Sequence, residues 1–201
     1  MSRIERNIQM RIFIAATATL AIFATAALAQ NEAPKQLIEQ GRRIALKVSA
    51  QHRSQLIREM QLSGPLRSLL ACKYSCPEIM SSQSRRTGWK VSMVSLKPRN
   101  SALGTADVWE QKVLQDFDRR VAKGEKAEAL EFAELVNEPQ GKYFRYAQAI
   151  PVEPLCLTCH GARAALPQSV KAQLAIDYPF DRATGFSMGQ VYGIVSIKGP
   201  Q

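Results

Sequence analysis

The sequence is poor in the residue types that most often carry metal and redox chemistry, with two histidines and four cysteines among 201 residues. It contains no internal repeat and no low-complexity tract, which excludes a repeat array as its architecture. It also lacks any grouping of side chains typical of a general acid–base site, so we predict that it is not an enzyme. We therefore expect one folded domain in which the few cysteines and histidines carry the chemistry.

The N-terminus has the features of an export signal. A basic leader precedes an apolar run that ends in the small-x-small pattern ALA at positions 27–29. This arrangement predicts a signal peptide over residues 1–29, cleaved after Ala29, and a single mature domain over residues 30–201 in the periplasm. The alternative is an uncleaved membrane anchor, because the run approaches the roughly 20 residues that span a bilayer.

The chain is basic, with a formal net charge of +10. Removing the predicted signal peptide takes away three arginines and one glutamate, which leaves about +8. An exported protein does not routinely meet nucleic acid, so we expect no nucleic-acid partner. The positive charge can steer acidic partners or anionic membrane surfaces toward the protein. We expect the partner to be an unknown redox or signalling protein, with association at the membrane surface as a further use of the charge.

Hydrophobic periodicity predicts a mixture of helices and strands. Apolar residues at spacings of three and four predict two long helices, over 33–62 and from about 66 to 80, separated by Gly64-Pro65. The other predicted elements are strands at 89–96, 129–136, 142–150 and 190–198, and helices at 107–124 and 168–174. A connector containing proline and glycine joins the second and third strands and predicts a hairpin. The expected fold is therefore α+β, with an antiparallel sheet preceded by two long helices.

The densest group of reactive side chains is in the segment PLCLTCHG, which holds Cys156, Cys159 and His160. C-x-x-C-H is the attachment pattern of c-type haem. The spacing lets both sulfurs reach the two vinyl groups along one porphyrin edge, and the histidine then supplies one axial nitrogen. Such attachment takes place on the exported side of the membrane, in agreement with the signal peptide. The motif predicts one covalently bound haem c.

Two other chemistries use paired cysteines. A zinc site can recruit four thiolates from Cys72, Cys76, Cys156 and Cys159, but that arrangement gives His160 no role. A thioredoxin-like dithiol requires C-x-x-C at the start of a helix in a parallel β-α-β unit, whereas the predicted sheet is antiparallel. Haem explains more of the motif than either alternative.

Several residues are available for the second axial position on the iron. Methionine and histidine on an apolar helix face are more often core residues than ligands. A Cys72–Cys76 disulfide is another use of the helical cysteines, but bridging positions i and i+4 of a helix strains disulfide geometry. The candidates for the second ligand are His52, Cys72, Cys76, Met60, Met80, Met93 and Met188, or no residue at all.

Five segments together resemble a family of PAS-like c-type haem domains, which occur as exported haem proteins and as the extracytoplasmic sensor regions of histidine kinases. The resemblance extends over nearly the whole mature chain. It is carried by LLACKYSCPEI, RTGWKVSMVSLKPRNSA, DVWEQKVLQDF, PLCLTCHG and YPFDRATGFSMGQVYGIVSI. The resemblance implies a PAS-like antiparallel sheet that holds the haem.

Carried over to this sequence, the resemblance implies attachment at Cys156 and Cys159, with His160 and Cys72 as the axial ligands. The chain departs from the family at Cys76, where alanine usually stands, and at Ser101, where a proline often follows Arg-Asn. The extra cysteine leaves Cys76 as a second possible ligand and allows a redox-reversible link to Cys72. In the matching basic loop, Lys97, Arg99 and Asn100 are candidates to pair with the haem propionates.

A thiolate opposite a histidine favours ferric iron and lowers the reduction potential. On reduction we expect the iron–thiolate bond to weaken, which opens a site for a small gas such as NO or CO. These properties predict a redox or gas sensor that signals through a partner. The alternative function is a periplasmic electron carrier.

Overall fold

The computed structural model describes residues 33–201 and shows an α+β fold. The predicted signal peptide over residues 1–29 lies outside the described residues. In chain order the elements are α1 (Lys35–Thr87), β1 (Lys90–Val94), α2 (Ser101–Gly104), α3 (Val108–Ala122), β2 (Glu131–Glu138), β3 (Gly141–Pro151), α4 (Leu157–His160), α5 (Gln168–Asp177) and β4 (Val191–Pro200). From residue 33 onward, none of the helices combines the length and the apolar character needed to cross a bilayer.

Helix α1 is a hairpin of two arms rather than a straight rod. Gly64 leaves the helical region of backbone space, with φ of 69° and ψ of −176°. Gln51 and Gln83, which lie on opposite sides of Gly64, form a side-chain hydrogen bond of 3.2 Å. A straight helix would separate positions 32 residues apart by about 48 Å at 1.5 Å per residue. The chain therefore reverses at Gly64, and the prediction of two long helices is confirmed.

The second arm is longer than the sequence pattern predicted. It continues to Thr87 and ends at Gly88, whose φ of 72° places it in the left-handed region that caps helices. Pro77 lies inside this arm and cannot donate a backbone hydrogen bond to the preceding turn. The arm continues past this defect because its last turns, including the buried Met80, pack against the sheet.

The four strands form one antiparallel sheet in the order β1-β4-β3-β2. Strands β2 and β3 pair across Glu138 and Gly141, so the predicted hairpin is confirmed. Alternate residues of each strand face opposite layers. On β3, Phe144 and Tyr146 pack against α1, whereas Ala147 and Ala149 pack in the cluster that contains α3. The sheet is therefore sandwiched between the helical hairpin and α3, with a core on each face.

The first arm of α1 lies very close to β3. A Cβ atom placed on Gly41 would be 2.8 Å from Cγ of Tyr146, so glycine is required for this approach. The fully buried Tyr146 donates its hydroxyl hydrogen bond to Glu131 at 2.6 Å. Arg42 also pairs with Glu131, and its Nε lies 2.8 Å from Oε2. One carboxylate thus links the helix to two strands.

We predict that Glu131→Gln lowers the free energy of unfolding by roughly 1 kcal/mol at neutral pH. The hydrogen bond from Arg42 lowers the pKa of Glu131 below its usual 4.5. A carboxylate with a lowered pKa contributes stability above its unfolded-state value, and that contribution is lost as the pH falls through its folded-state value. The difference between wild type and variant should therefore narrow below pH 4.5.

Urea unfolding monitored by circular dichroism at neutral and acidic pH measures this difference. Glu125→Gln is the matched control, because Glu125 forms an exposed ion pair with Arg120, and such pairs add little stability. An equal loss in both variants would contradict a special role for Glu131.

Candidate functional site

The C-x-x-C-H segment follows directly after β3. A 3-10 turn covers Pro154–Cys156, and α4 (Leu157–His160) completes the motif. Proline is favourable at the first position of such a turn, where its missing N–H would have had no partner. On the far side of the motif, the Phe186 N–H donates to the His160 carbonyl oxygen at 3.0 Å. The motif therefore lies in the segment between β3 and β4, and its last residue is hydrogen-bonded to the loop that precedes β4.

The imidazole of His160 is oriented by one backbone hydrogen bond and two aromatic rings. Its Nδ1 lies 2.8 Å from the Ala183 carbonyl oxygen. A carbonyl oxygen can only accept, so Nδ1 carries the proton and Nε2 keeps its lone pair. Tyr192 and Phe186 meet the ring edge-on, with centroids at 4.6 and 6.4 Å. Burial, followed by the charge of Arg99, lowers the pKa of His160 to about 3. The ring is therefore a neutral, preoriented nitrogen donor.

Arg99 holds the loop that carries the motif. Its Nη2 donates to the carbonyl oxygens of Cys159 at 2.6 Å and Ala183 at 3.2 Å, and its Nε lies 3.3 Å from Oδ2 of Asp181. The Asp181 side chain is only 3% exposed and also accepts the Ala183 N–H at 2.8 Å. Arg99 thus binds both the residue before His160 and the carbonyl that orients the His160 ring.

Lys97 lies in the same basic loop but is exposed. Its ammonium lies 5.1 Å from the centroid of the Phe186 ring, a distance that permits a cation–π contact. The guanidinium of Arg99 is committed to protein groups, whereas the ammonium of Lys97 lies beside the Phe186 ring. Pairing of these two side chains with propionates stays a prediction.

Cys156 and Cys159 are free thiols, the first immediately before α4 and the second within it. Cys156 packs beside Val152 and Phe186, and Cys159 packs beside Leu69 of the second helical arm. Burial is the first cause that raises the pKa of both thiols. Both side chains nevertheless remain partly accessible. They are therefore protonated thiols at neutral pH and are not sealed from solvent.

The helical hairpin brings three donors together near the motif. The sulfur atoms of Cys72 and Cys76 and a ring nitrogen of His52 all lie within 4.8 Å of one another. All three side chains are partly accessible. Cys72 and Cys76 are one turn apart on the second arm, as expected, and His52 comes from the first arm. The four-thiolate zinc arrangement does not form among the described residues, because Cys72 and Cys76 group with His52 instead.

Of the two helical cysteines, one has a lowered thiol pKa and the other a raised one. Hydrogen bonding with Cys76 lowers the pKa of Cys72, and hydrogen bonding with His52 acts in the same direction. The hydrogen bond to Cys72, followed by burial, raises the pKa of Cys76. Because His52 and the charge of Arg99 act on Cys72, the thiolate belongs to Cys72. Of the two sulfurs, Cys72 is the better anionic ligand.

The other sequence candidates for a second ligand lie elsewhere. Met80 and Met93 pack in the core between α1 and the sheet, and Met188 is 56% exposed on the loop before β4. His52 was predicted to be more often a core residue than a ligand, but its ring lies beside Cys72 and Cys76. Its only sequence signal was its position one turn after Val48 on the apolar face.

Comparison with known proteins identifies the chain. The family model described as Tll0287-like: Tll0287 matches residues 29–200. The chain belongs to the Tll0287-like family. The crystal structure of the cyanobacterial haem protein Tll0287 superposes with a TM-score of 0.65 at 23% sequence identity, covering 84% of this chain and 98% of that chain. A search of the curated proteins found no match. The resemblance stated from sequence is thus confirmed at the level of family and fold.

We predict that Arg99→Leu destabilises the protein by about 3 kcal/mol, because it leaves the buried Asp181 carboxylate without its partner charge. Adding Asp181→Asn, which removes that charge, should recover part of the loss. Chemical unfolding of the two single variants and the double variant measures the coupling.

The matched control is Arg182→Leu, which removes an exposed arginine next to Asp181 and should change stability little. Strictly additive losses at Arg99 and Asp181 would show that the ion pair does not hold this loop.

Proposed function

We propose that this protein is an exported single-haem c-type cytochrome with histidine and cysteine axial ligands, acting in redox or small-gas sensing. The observation that carries the proposal is the geometry of His160. Within a C-x-x-C-H motif, its Nδ1 is bound to a backbone carbonyl, which orients Nε2 as a metal ligand. Membership of the Tll0287-like family and the haem in Tll0287 itself support haem as the cofactor. Export is supported by the leader over residues 1–29.

The side chains of the C-x-x-C-H motif fit a covalently bound haem. Cys156 and Cys159 are free, partly accessible thiols at the spacing that haem attachment requires, and they would hold the haem through two thioethers. His160 would supply one axial nitrogen, and Tyr192 and Phe186 keep its ring in place. When bound, the haem supplies one-electron redox chemistry and an iron that can bind small ligands.

Cys72 would supply the second axial ligand. Its pKa is lowered by Cys76 and His52, so its sulfur is available as a thiolate, the form that binds metals. An anionic sulfur favours ferric iron and lowers the reduction potential. A ligand that binds the two oxidation states with different strength suits a sensor better than a fast electron carrier. The basic surface would guide the protein to an acidic signalling or redox partner.

We predict that the protein, produced with a haem-attachment system, carries one covalent haem whose ferric absorption spectrum has a thiolate charge-transfer band. Cys72→Ala should abolish that band, since it removes the thiolate, and Cys76→Ala should retain it. Absorption spectra of the ferric and dithionite-reduced forms, together with haem staining of the denatured protein, measure both properties.

The outcomes separate the candidate functions. Absence of covalent haem in the wild-type protein would contradict the proposal. The double variant Cys156→Ser/Cys159→Ser is the negative control for attachment. A methionine-type band that is indifferent to Cys72→Ala would instead assign the protein to ordinary periplasmic electron carriers.

A further inference from the structure

The His52–Cys72–Cys76 cluster contains one donor that the proposed function does not use. His52 is a nitrogen donor on the first helical arm, within 4.8 Å of the sulfur of Cys72 on the second arm. Side-chain rotation moves a terminal donor atom by several ångströms, so an exchange between these two donors needs no movement of the arms.

We propose that His52 is the exchange ligand for Cys72, so that Cys72 binds the iron in the ferric protein and His52 replaces it in the ferrous protein. This inference rests on the proposed function, because it assumes a haem held at Cys156, Cys159 and His160. It would give the iron a histidine on each face after reduction and make the helical hairpin the sensing element.

The chemistry of the donors favours this direction of exchange. Reduction adds one electron to the iron, supplied by the redox partner or, in the test, by dithionite. The lower positive charge binds an anionic sulfur less strongly, and a neutral imidazole loses less. In the exchange the iron–sulfur bond breaks, and the sulfur of Cys72 keeps the electron pair and takes a proton from solvent. A ring nitrogen of His52 donates its lone pair to form the new bond.

Cys76 is the less suitable replacement, although its sulfur also lies within 4.8 Å of the Cys72 sulfur. Exchange of one sulfur for another would leave the same charge opposite His160. Reduction of the iron would then not favour one sulfur over the other. Its place beside Cys72 suits another role, because its thiol can donate a hydrogen bond to the Cys72 sulfur. This hydrogen bond would hold the Cys72 side chain close to the haem after it leaves the iron, ready to return on oxidation.

The exchange predicts specific spectra for the haem-loaded full-length protein in buffer containing EDTA. Ferrous wild type should be six-coordinate and low-spin, and ferrous His52→Ala should be five-coordinate and high-spin. Ferric Cys72→Ala should become a bis-imidazole species, and this species should be lost in Cys72→Ala/His52→Ala. Magnetic circular dichroism and electron paramagnetic resonance distinguish these coordination states.

Gas binding provides a second readout of the same exchange. Carbon monoxide must compete with His52 in ferrous wild type, so the apparent affinity equals the intrinsic affinity multiplied by the fraction of iron that His52 leaves free. His52→Ala should therefore raise the apparent affinity on the order of tenfold. Added imidazole should restore the low-spin ferrous spectrum of His52→Ala, which shows that the variant is folded and lacks only the ligand.

Met60→Leu is the matched control, because Met60 lies two turns further along the same arm, is half-buried and is also a candidate donor. Its spectra should equal those of wild type. The inference would be overturned by a ferrous spectrum that His52→Ala leaves unchanged, or by an exchange that persists in His52→Ala and is lost in Cys76→Ser. Either result would leave intact the covalent haem and the Cys72-dependent ferric band, on which the proposed function depends.

Discussion

The reversal of the chain at Gly64 is the constraint on which the candidate site depends. With φ of 69°, this residue occupies a conformation that glycine adopts without the penalty of a Cβ atom. The two arms that follow from it place His52 beside Cys72 and Cys76, which are 20 and 24 positions further along the sequence. Both arms bury their inner faces against the same side of the sheet. The donors are therefore held by the packing of the main core rather than by a flexible loop.

The opposite half of the site is held by a buried ion pair in addition to apolar packing. Arg99 and Asp181 form a nearly buried ion pair whose remaining hydrogen bonds go to the backbone around Cys159 and Ala183. A buried pair of this kind gains little net stability over an apolar pair, but it loses much if one partner is removed. Its contribution is to position the carbonyl that orients His160. The packed α1 hairpin thus faces the loop that carries His160, and the geometry of this loop depends on Arg99.

Sequence reasoning identified the elements and the motif but not the way they meet. Helical and strand periods depend on local patterns, so the hairpin arms and the β2–β3 hairpin could be placed from residues close together in the chain. The roles of Arg99 and His52 could not be placed in this way. The partners of Arg99 are up to 84 positions away, and the partners of His52 lie across the Gly64 reversal. A cation in a basic loop and a histidine on an apolar face are each compatible with several environments, and only tertiary structure selects one.

Cys76 and His52 together change what Cys72 can do. A lone thiolate opposite a histidine has one way to respond to reduction, which is to weaken or break its bond. Here the sulfur of Cys72 has the Cys76 thiol and a ring nitrogen of His52 as neighbours, and the three donor atoms all lie within 4.8 Å of one another. The thiol stabilises the sulfur whether it is bound or released, and the imidazole can take the position that it leaves. In the proposed exchange, the energy difference between the two ligand states would be set by the charge on the iron, since the protein scaffold would be the same in both. A site built in this way would respond to the oxidation state of a bound haem through the movement of two side chains.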